Sequence, residues 1–296
     1  MLMIVGGVVL FAAIVGMTRT ISARRARPHP GKSAGATFNE QGIVVGAEPL
    51  RLQGTSDRGV LLLHGFNDTP QSVGQLAHAL HERGWSVSVP LLPHHGRGSA
   101  DFERFGNAKE WVDAARAEWQ SVCARSPRAV LAGQSMGGAI AVVLAAERAP
   151  GALVLLAPYL SMGLMARLLA AIWPVWELFT PKLASDSLRG LRDAEARSRA
   201  LGNPWFTPRL VAELHQVVRA AHQALPAVHA PSLVLHTRLD YRIPSRSATR
   251  AYEHLGSADK TLVWRDDSGH VLAADAGREE VYALVGDWLE SRIKSR

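Results

Sequence analysis

The sequence predicts an α/β fold, with a mostly parallel central sheet covered by helices on both faces. Three observations carry this reading. The first is a set of short apolar runs, Gly59 to Leu63, Arg128 to Ala132, Gly151 to Leu156, Pro231 to His236 and Lys260 to Trp264. Each has the length and composition of a strand buried on both faces. The second is that stretches with helical spacing alternate with these runs, as crossovers between parallel strands require. The third is the pentapeptide Gly133-Gln134-Ser135-Met136-Gly137, set between a strand and an alanine-rich helical stretch. Right-handed crossovers gather the loops at the carboxyl ends of the strands, where a site can form.

Taken in order, Gly42 to Gly46 and Leu50 to Gln53 are expected to form an antiparallel edge pair. Gln71 to Arg83 has helical spacing and stops at Gly84, and Trp85 to Val89 alternates as a strand. Ala108 to Ala124 reads as a helix with Trp111, Ala115 and Trp119 on one face, and Gly138 to Arg148 as another. Between 158 and 228 the alternation stops and no strand is apparent. This stretch reads as a helical cap over the cleft, and its run Leu160 to Phe179 is strongly apolar. Arg167 and Pro174 argue against a membrane span there. A further crossing would also part Ser135 from the later acid and histidine. Core segments at 41–157 and 229–296 flank the cap.

The pentapeptide is the centre of the functional reading. A strand that runs into a helix through a tight turn holds its central residue in a strained conformation and pushes the hydroxyl into a cleft. A serine hydroxyl needs a base to take its proton and a carboxylate to orient that base. Asp240 lies in the loop after the strand ending at His236, and His270 in the loop after the strand ending at Trp264. The order Ser135, Asp240, His270 suits this architecture. Asp266 and Asp267 lie at the end of the strand preceding His270, and Asp275 reads as opening the last helix. His236 reads as a packed core residue. Backbone N–H donors for an oxyanion are expected from Met136 and from Phe66, in the His64-Gly65-Phe66 loop, with His64 tying that loop down.

Together, His64-Gly65-Phe66, the Ser135 pentapeptide, Asp240 with Ile243-Pro244, and Gly269-His270 resemble the α/β-hydrolase superfamily. Within it the chain is similar to bacterial carboxylesterases and monoacylglycerol lipases. Pro93-His94-His95-Gly96-Arg97-Gly98 resembles that group's Gly-His-Gly loop, with His94 where a glycine is usual. The resemblance implies Ser135 as nucleophile, His270 as base, Asp240 as its orienter, and Phe66 and Met136 as oxyanion donors. It also implies short- or medium-chain ester substrates. Met162, Leu164, Trp173 and Trp176 in the cap are expected to contact an acyl chain.

Composition narrows the rest. A chain of 296 residues with 47% hydrophobic content can bury a large core. One cysteine, Cys123, allows no internal disulfide. No phosphate loop, dinucleotide fingerprint or cysteine cluster is present, so no cofactor and no metal is expected. His215, His222 and His229 fall seven apart, too far along a helix for one ion. Residues 1–17 carry no charge, and Arg19, Arg24, Arg25, Arg27 and Lys32 follow them. This pattern predicts an anchor over residues 1–18 and a basic linker over 19–40, holding the enzyme on the cytoplasmic side. The alternative is a signal sequence and export. Five of the seven net positive charges sit between Arg19 and Lys32, which suits anionic lipid and gives no footprint for nucleic acid. The expected activity is acyl-ester hydrolysis. The alternatives are a thioesterase, acyltransferase or carbon–carbon hydrolase on the same triad, or a silent membrane-tethered binding module.

Overall fold

The computed structural model describes residues 36–185 and 190–294. The expected anchor and most of the basic linker lie outside the described residues. Strands β1 (Leu50–Leu52), β2 (Arg58–Leu63), β3 (Ser86–Val89), β4 (Arg128–Gln134), β5 (Leu153–Leu156), β8 (Ser232–Thr237) and β9 (Lys260–Arg265) form one seven-stranded sheet. Its order is β1-β3-β2-β4-β5-β8-β9. Only the β1–β3 pair in it is antiparallel.

Alternation along each strand feeds two cores. Leu61 and Leu63 of β2 face α3 (Ala108–Arg125), α4 (Met136–Glu147) and α8 (Pro208–Ala224). Val60 and Leu62 face α1 (Gln71–Glu82) and α10 (Arg278–Arg292). Both faces of the sheet are therefore covered, which is why its strands read as continuous apolar runs. The helix α2 (Ser99–Phe105) precedes α3, and α9 (Ser245–His254) joins β8 to β9.

Two sequence expectations are corrected. Gly42 to Gly46 is not the partner of β1, which pairs instead with β3. Asn39 is the cause: its side-chain oxygen accepts from the N–H groups of Gln41 and Ile43, 3.0 Å each. The segment folds into a turn that leaves only the isolated bridge Phe38–Val44.

The cap region also contains strands. β6 (Leu183–Ala184) and β7 (Trp205–Phe206) pair antiparallel, too short to show periodicity in the sequence. The apolar run at 160–179 is two helices, α5 (Leu164–Ala171) and α6 (Trp173–Phe179), because Pro174 starts a new helix rather than continuing the old one. The short α7 (Ala194–Arg199) follows. Helix α8 packs into the same core as α4, through Leu210, Val217 and Val218.

Candidate active site

The turn between β4 and α4 is built as its glycines demand. Ser135 has φ 55° and ψ −115°, a conformation that L side chains rarely adopt. A Cβ at Gly133 would lie 2.4 Å from the Gly137 backbone, and one at Gly137 would lie 2.3 Å from the Leu63 carbonyl oxygen. Glycine is required at both positions so that the helix can approach the sheet. The Ser135 N–H donates to Leu156 O at 2.9 Å, and its carbonyl accepts from Ala139 N and Tyr159 N, both at 3.1 Å. Backbone bonds from β5 and α4 thus hold the strained residue from both sides.

Three distant side chains meet there. His270 Nε2 lies 2.9 Å from Ser135 Oγ, and His270 Nδ1 lies 2.6 Å from Asp240 Oδ2. All three residues are buried. The other carboxylate oxygen, Oδ1, accepts from the N–H groups of Arg242 and Ile243 at 2.8 and 3.0 Å. Burial alone would push the Asp240 carboxyl up. The hydrogen bond and charge of His270, with these two N–H groups, outweigh burial and hold it below the usual carboxylate range. The Nε2 nitrogen facing the serine is therefore the one placed to accept a proton.

The loop after β2 runs beside this group. A Cβ at Gly65 would sit 3.4 Å from Ser135 Cβ, in van der Waals contact, so the loop passes directly against the serine. His64, fully buried, brackets the loop, with Nδ1 2.9 Å from Gly65 O and Nε2 accepting from Leu92 N at 3.1 Å. Burial, only partly offset by the Gly65 carbonyl, lowers the imidazole to about 4, so it stays neutral. Phe66 packs among Phe102, Trp111 and Phe206, with ring centroids 5.4 to 5.9 Å away. Trp111 in turn donates to Pro93 O at 3.1 Å. Met136 is the first residue of α4, a position whose N–H has no acceptor within its own helix. Its side chain is buried in the core.

A cavity of about 390 Å³ opens over Ser135 and His270. Phe66, Tyr159, Met162, Phe206, Val211 and Leu214 give it apolar walls, and Asn67, Asp68 and Arg242 add polar groups. Of the four cap residues expected to contact substrate, only Met162 lines it. Leu164 lies at the start of α5, two positions from the cavity-facing Ala166 and so across the helix from it, and is 71% exposed. Trp173 and Trp176 sit on α6, beyond the break at Ile172, outside the cavity wall.

Other contacts at the site carry no sequence signal. Asn67, at φ 56°, donates to Ser185 Oγ and Asn203 O at 2.9 Å each and accepts from Asn203 N at 3.2 Å. Its buried amide fastens the cap to the Phe66 loop. Gln134 donates to His270 O at 2.8 Å. Asp275 does not open the last helix, whose N-cap is Gly277. It is fully buried and accepts from Gly269, Arg192 and Asp193 N–H groups at 2.5 to 2.7 Å. It therefore ties the histidine loop to the middle of the cap, ahead of α7. Among the described residues no cluster suited to a metal ion is present.

A family model described as "Serine aminopeptidase, S33" matches residues 54–277. The chain belongs to this family. It is an α/β-hydrolase-fold serine hydrolase. A carboxylesterase of Bacillus subtilis (strain 168) is 26% identical over 251 residues, covering 83% of this chain and 98% of the relative. A thermostable monoacylglycerol lipase of a Bacillus species is 28% identical over 236 residues, covering 79% and 90%. Among solved structures, one from the metagenome-derived lipolytic enzymes LipS and LipT superposes with a TM-score of 0.76 at 26% identity, covering 84% of this chain and 99% of that one. A monoacylglycerol lipase of Paleococcus ferrophilus, at 21% identity and a TM-score of 0.68, covers 83% and 98% and shares the fold.

Proposed function

We propose that this serine hydrolase cleaves carboxylic esters through an acyl-enzyme, with Ser135 as nucleophile, His270 as general base and acid, and Asp240 as the orienting carboxylate. The observation that carries this is the unbroken chain Ser135 Oγ–His270–Asp240 at 2.9 and 2.6 Å beneath a largely apolar cavity. Ser135 Oγ attacks the ester carbonyl while Nε2 takes its proton. The carbonyl oxygen becomes an oxyanion, held by the backbone N–H groups of Phe66 and Met136. Asp240 stabilises the imidazolium through Nδ1–H. The tetrahedral intermediate collapses, Nε2 returns the proton to the leaving alcohol, and the acyl group stays on Ser135. Water, deprotonated by the same nitrogen, then releases the acid.

The apolar cavity wall suits a short or medium acyl chain, and the named relatives support a lipid-derived or monoacylglycerol-like ester. We further propose that residues 1–18 anchor the enzyme to a membrane, with the basic linker against anionic headgroups and the catalytic domain on the cytoplasmic side. Leu164, Met165, Leu168, Ile172 and Val175, all more than half exposed beside the cavity roof, are consistent with a lipid-facing cap. Among the described residues no helix is long and apolar enough to cross a membrane.

Ser135→Ala is expected to abolish turnover of p-nitrophenyl esters while leaving the thermal unfolding midpoint near that of the parent. Wild-type hydrolysis by the alanine variant would contradict the assignment. A panel of monoacylglycerols, thioesters, acceptor alcohols and aminoacyl p-nitroanilides identifies the acyl substrate. Faster turnover of a thioester or transfer to an acceptor would move the reading to a thioesterase or acyltransferase.

A further inference from the structure

His236 is a buried histidine that the proposed chemistry leaves unused. It is the fifth of the six residues of β8 and fully enclosed, with its ring edge-on to Trp264 of β9 at 5.5 Å between centroids. Its Nε2 lies 3.1 Å from the Ile243 carbonyl oxygen. A carbonyl only accepts, so Nε2 carries the ring proton. Nδ1 is then an unprotonated nitrogen, and it has no hydrogen-bond partner among the described residues. The titratable groups that face the ring are Asp240, 3.9 Å from Nε2, and His270. Burial lowers the imidazole below its ordinary range and outweighs the nearby carboxylate, which raises it.

The bond to Ile243 closes a particular turn. Asp240 Oδ1 is occupied by the N–H groups of Arg242 and Ile243, which leaves Oδ2 for His270. Ile243 is thus gripped at both ends: the catalytic carboxylate takes its N–H and His236 takes its carbonyl. Ile243 is 1% exposed, so water cannot readily replace the lost donor if His236 is removed. The turn would then loosen about the carboxylate it is meant to aim. A histidine packed only for its bulk would need no proton at Nε2 and no acceptor opposite it.

We propose that His236 is a positioning residue for the catalytic acid: its Nε2–H on the Ile243 carbonyl fixes the 240–243 turn so that Asp240 Oδ2 meets His270 Nδ1. The inference rests on the triad assignment above. His236 is absent from the cavity wall, so its effect belongs in kcat and not in KM.

Three variants of the full chain test it: His236→Gln, whose longer amide can reach the carbonyl, His236→Asn, one methylene too short, and His236→Leu, with no donor. The readouts are kcat and KM on a p-nitrophenyl ester, the rate of labelling by a fluorophosphonate, and the thermal midpoint. The leucine and asparagine variants are expected to lose roughly 10- to 100-fold in kcat and in labelling rate with KM little changed, as for a misplaced catalytic group. The glutamine variant is expected to recover most of the loss. Wild-type kcat in the leucine or asparagine variant would overturn the proposal. So would a glutamine variant as slow as the asparagine one, or a loss carried by KM. If the leucine variant fails to fold, the glutamine–asparagine comparison still decides. Failure of the triad assignment reads separately, as an unlabelled Ser135 in the parent enzyme.

Discussion

Gly137→Ala puts the geometry of the serine turn to a direct test. A Cβ at Gly137 would stand 2.3 Å from Leu63 O and 2.5 Å from His64 O, where ordinary contact begins at 3.4 Å. The shortfall is therefore about 1 Å, and both obstacles are backbone atoms at the end of β2 that no rotamer change can clear. Either α4 must move away from the sheet, carrying Ser135, or the His64 loop must move, carrying Phe66. Overpacking of this kind costs about 1–3 kcal/mol. At roughly 2–4 °C per kcal/mol for a domain of this size, the thermal midpoint should fall by about 2–12 °C. A misplacement near 1 Å in a catalytic group costs on the order of 100-fold in rate. Gly74→Ala is the control, because it lies in α1 with no atom within 4 Å of its added Cβ. It should hold or slightly raise stability, by about 0.5–1 kcal/mol, since alanine is the better helix former. Differential scanning calorimetry and ester hydrolysis read both effects. If Gly137→Ala matches the parent in midpoint and in kcat/KM, the tight strand–turn–helix account is wrong.

The remaining predictions concern pH, the cap and the cavity. His64 titrates near 6.5 when unfolded and about 4 when folded, so the folded state binds fewer protons between those values. Its contribution is fully present above about pH 6.5 and is lost as pH falls toward 4, about 3 kcal/mol in all. His95 and His236, also depressed by burial, act in the same direction. Urea midpoints that stay flat from pH 7 to 4.5 would contradict this. Asn67→Ala removes the amide that joins the Phe66 loop to Ser185 and Asn203, leaving a non-glycine residue at φ 56°. It should lower stability by about 1–3 kcal/mol and raise KM for long-chain esters, read by unfolding and steady-state kinetics. Leu214→Phe adds bulk to the cavity wall and should shift preference toward shorter acyl chains; an unchanged chain-length profile would place the acyl group elsewhere.

Much of the site could be read from the sequence because its parts are local. The Ser135 turn needs glycine at fixed offsets, and the loops holding Asp240 and His270 follow strands whose burial on both faces makes them continuous apolar runs. What escaped the sequence depends on distant partners or on local competition. Gly42 to Gly46 has the composition of a strand, but the Asn39 side chain captures its backbone first. The break between α5 and α6 was signalled by Pro174, yet the facing of Leu164, Trp173 and Trp176 was not, because a run in which only Arg167 and Glu177 are charged does not reveal which apolar side is covered. Asn67 and Gln134 each bond across 136 residues of chain, a pairing that no local pattern encodes.

The central claim is that Ser135 Oγ is activated by His270 and Asp240. Labelling the full chain with a fluorophosphonate, followed by peptide mass spectrometry, tests it most directly. One adduct is expected, on Ser135, formed rapidly in the parent, strongly slowed in Asp240→Asn and abolished in His270→Ala. An adduct on another residue, or labelling that is indifferent to His270, would contradict it.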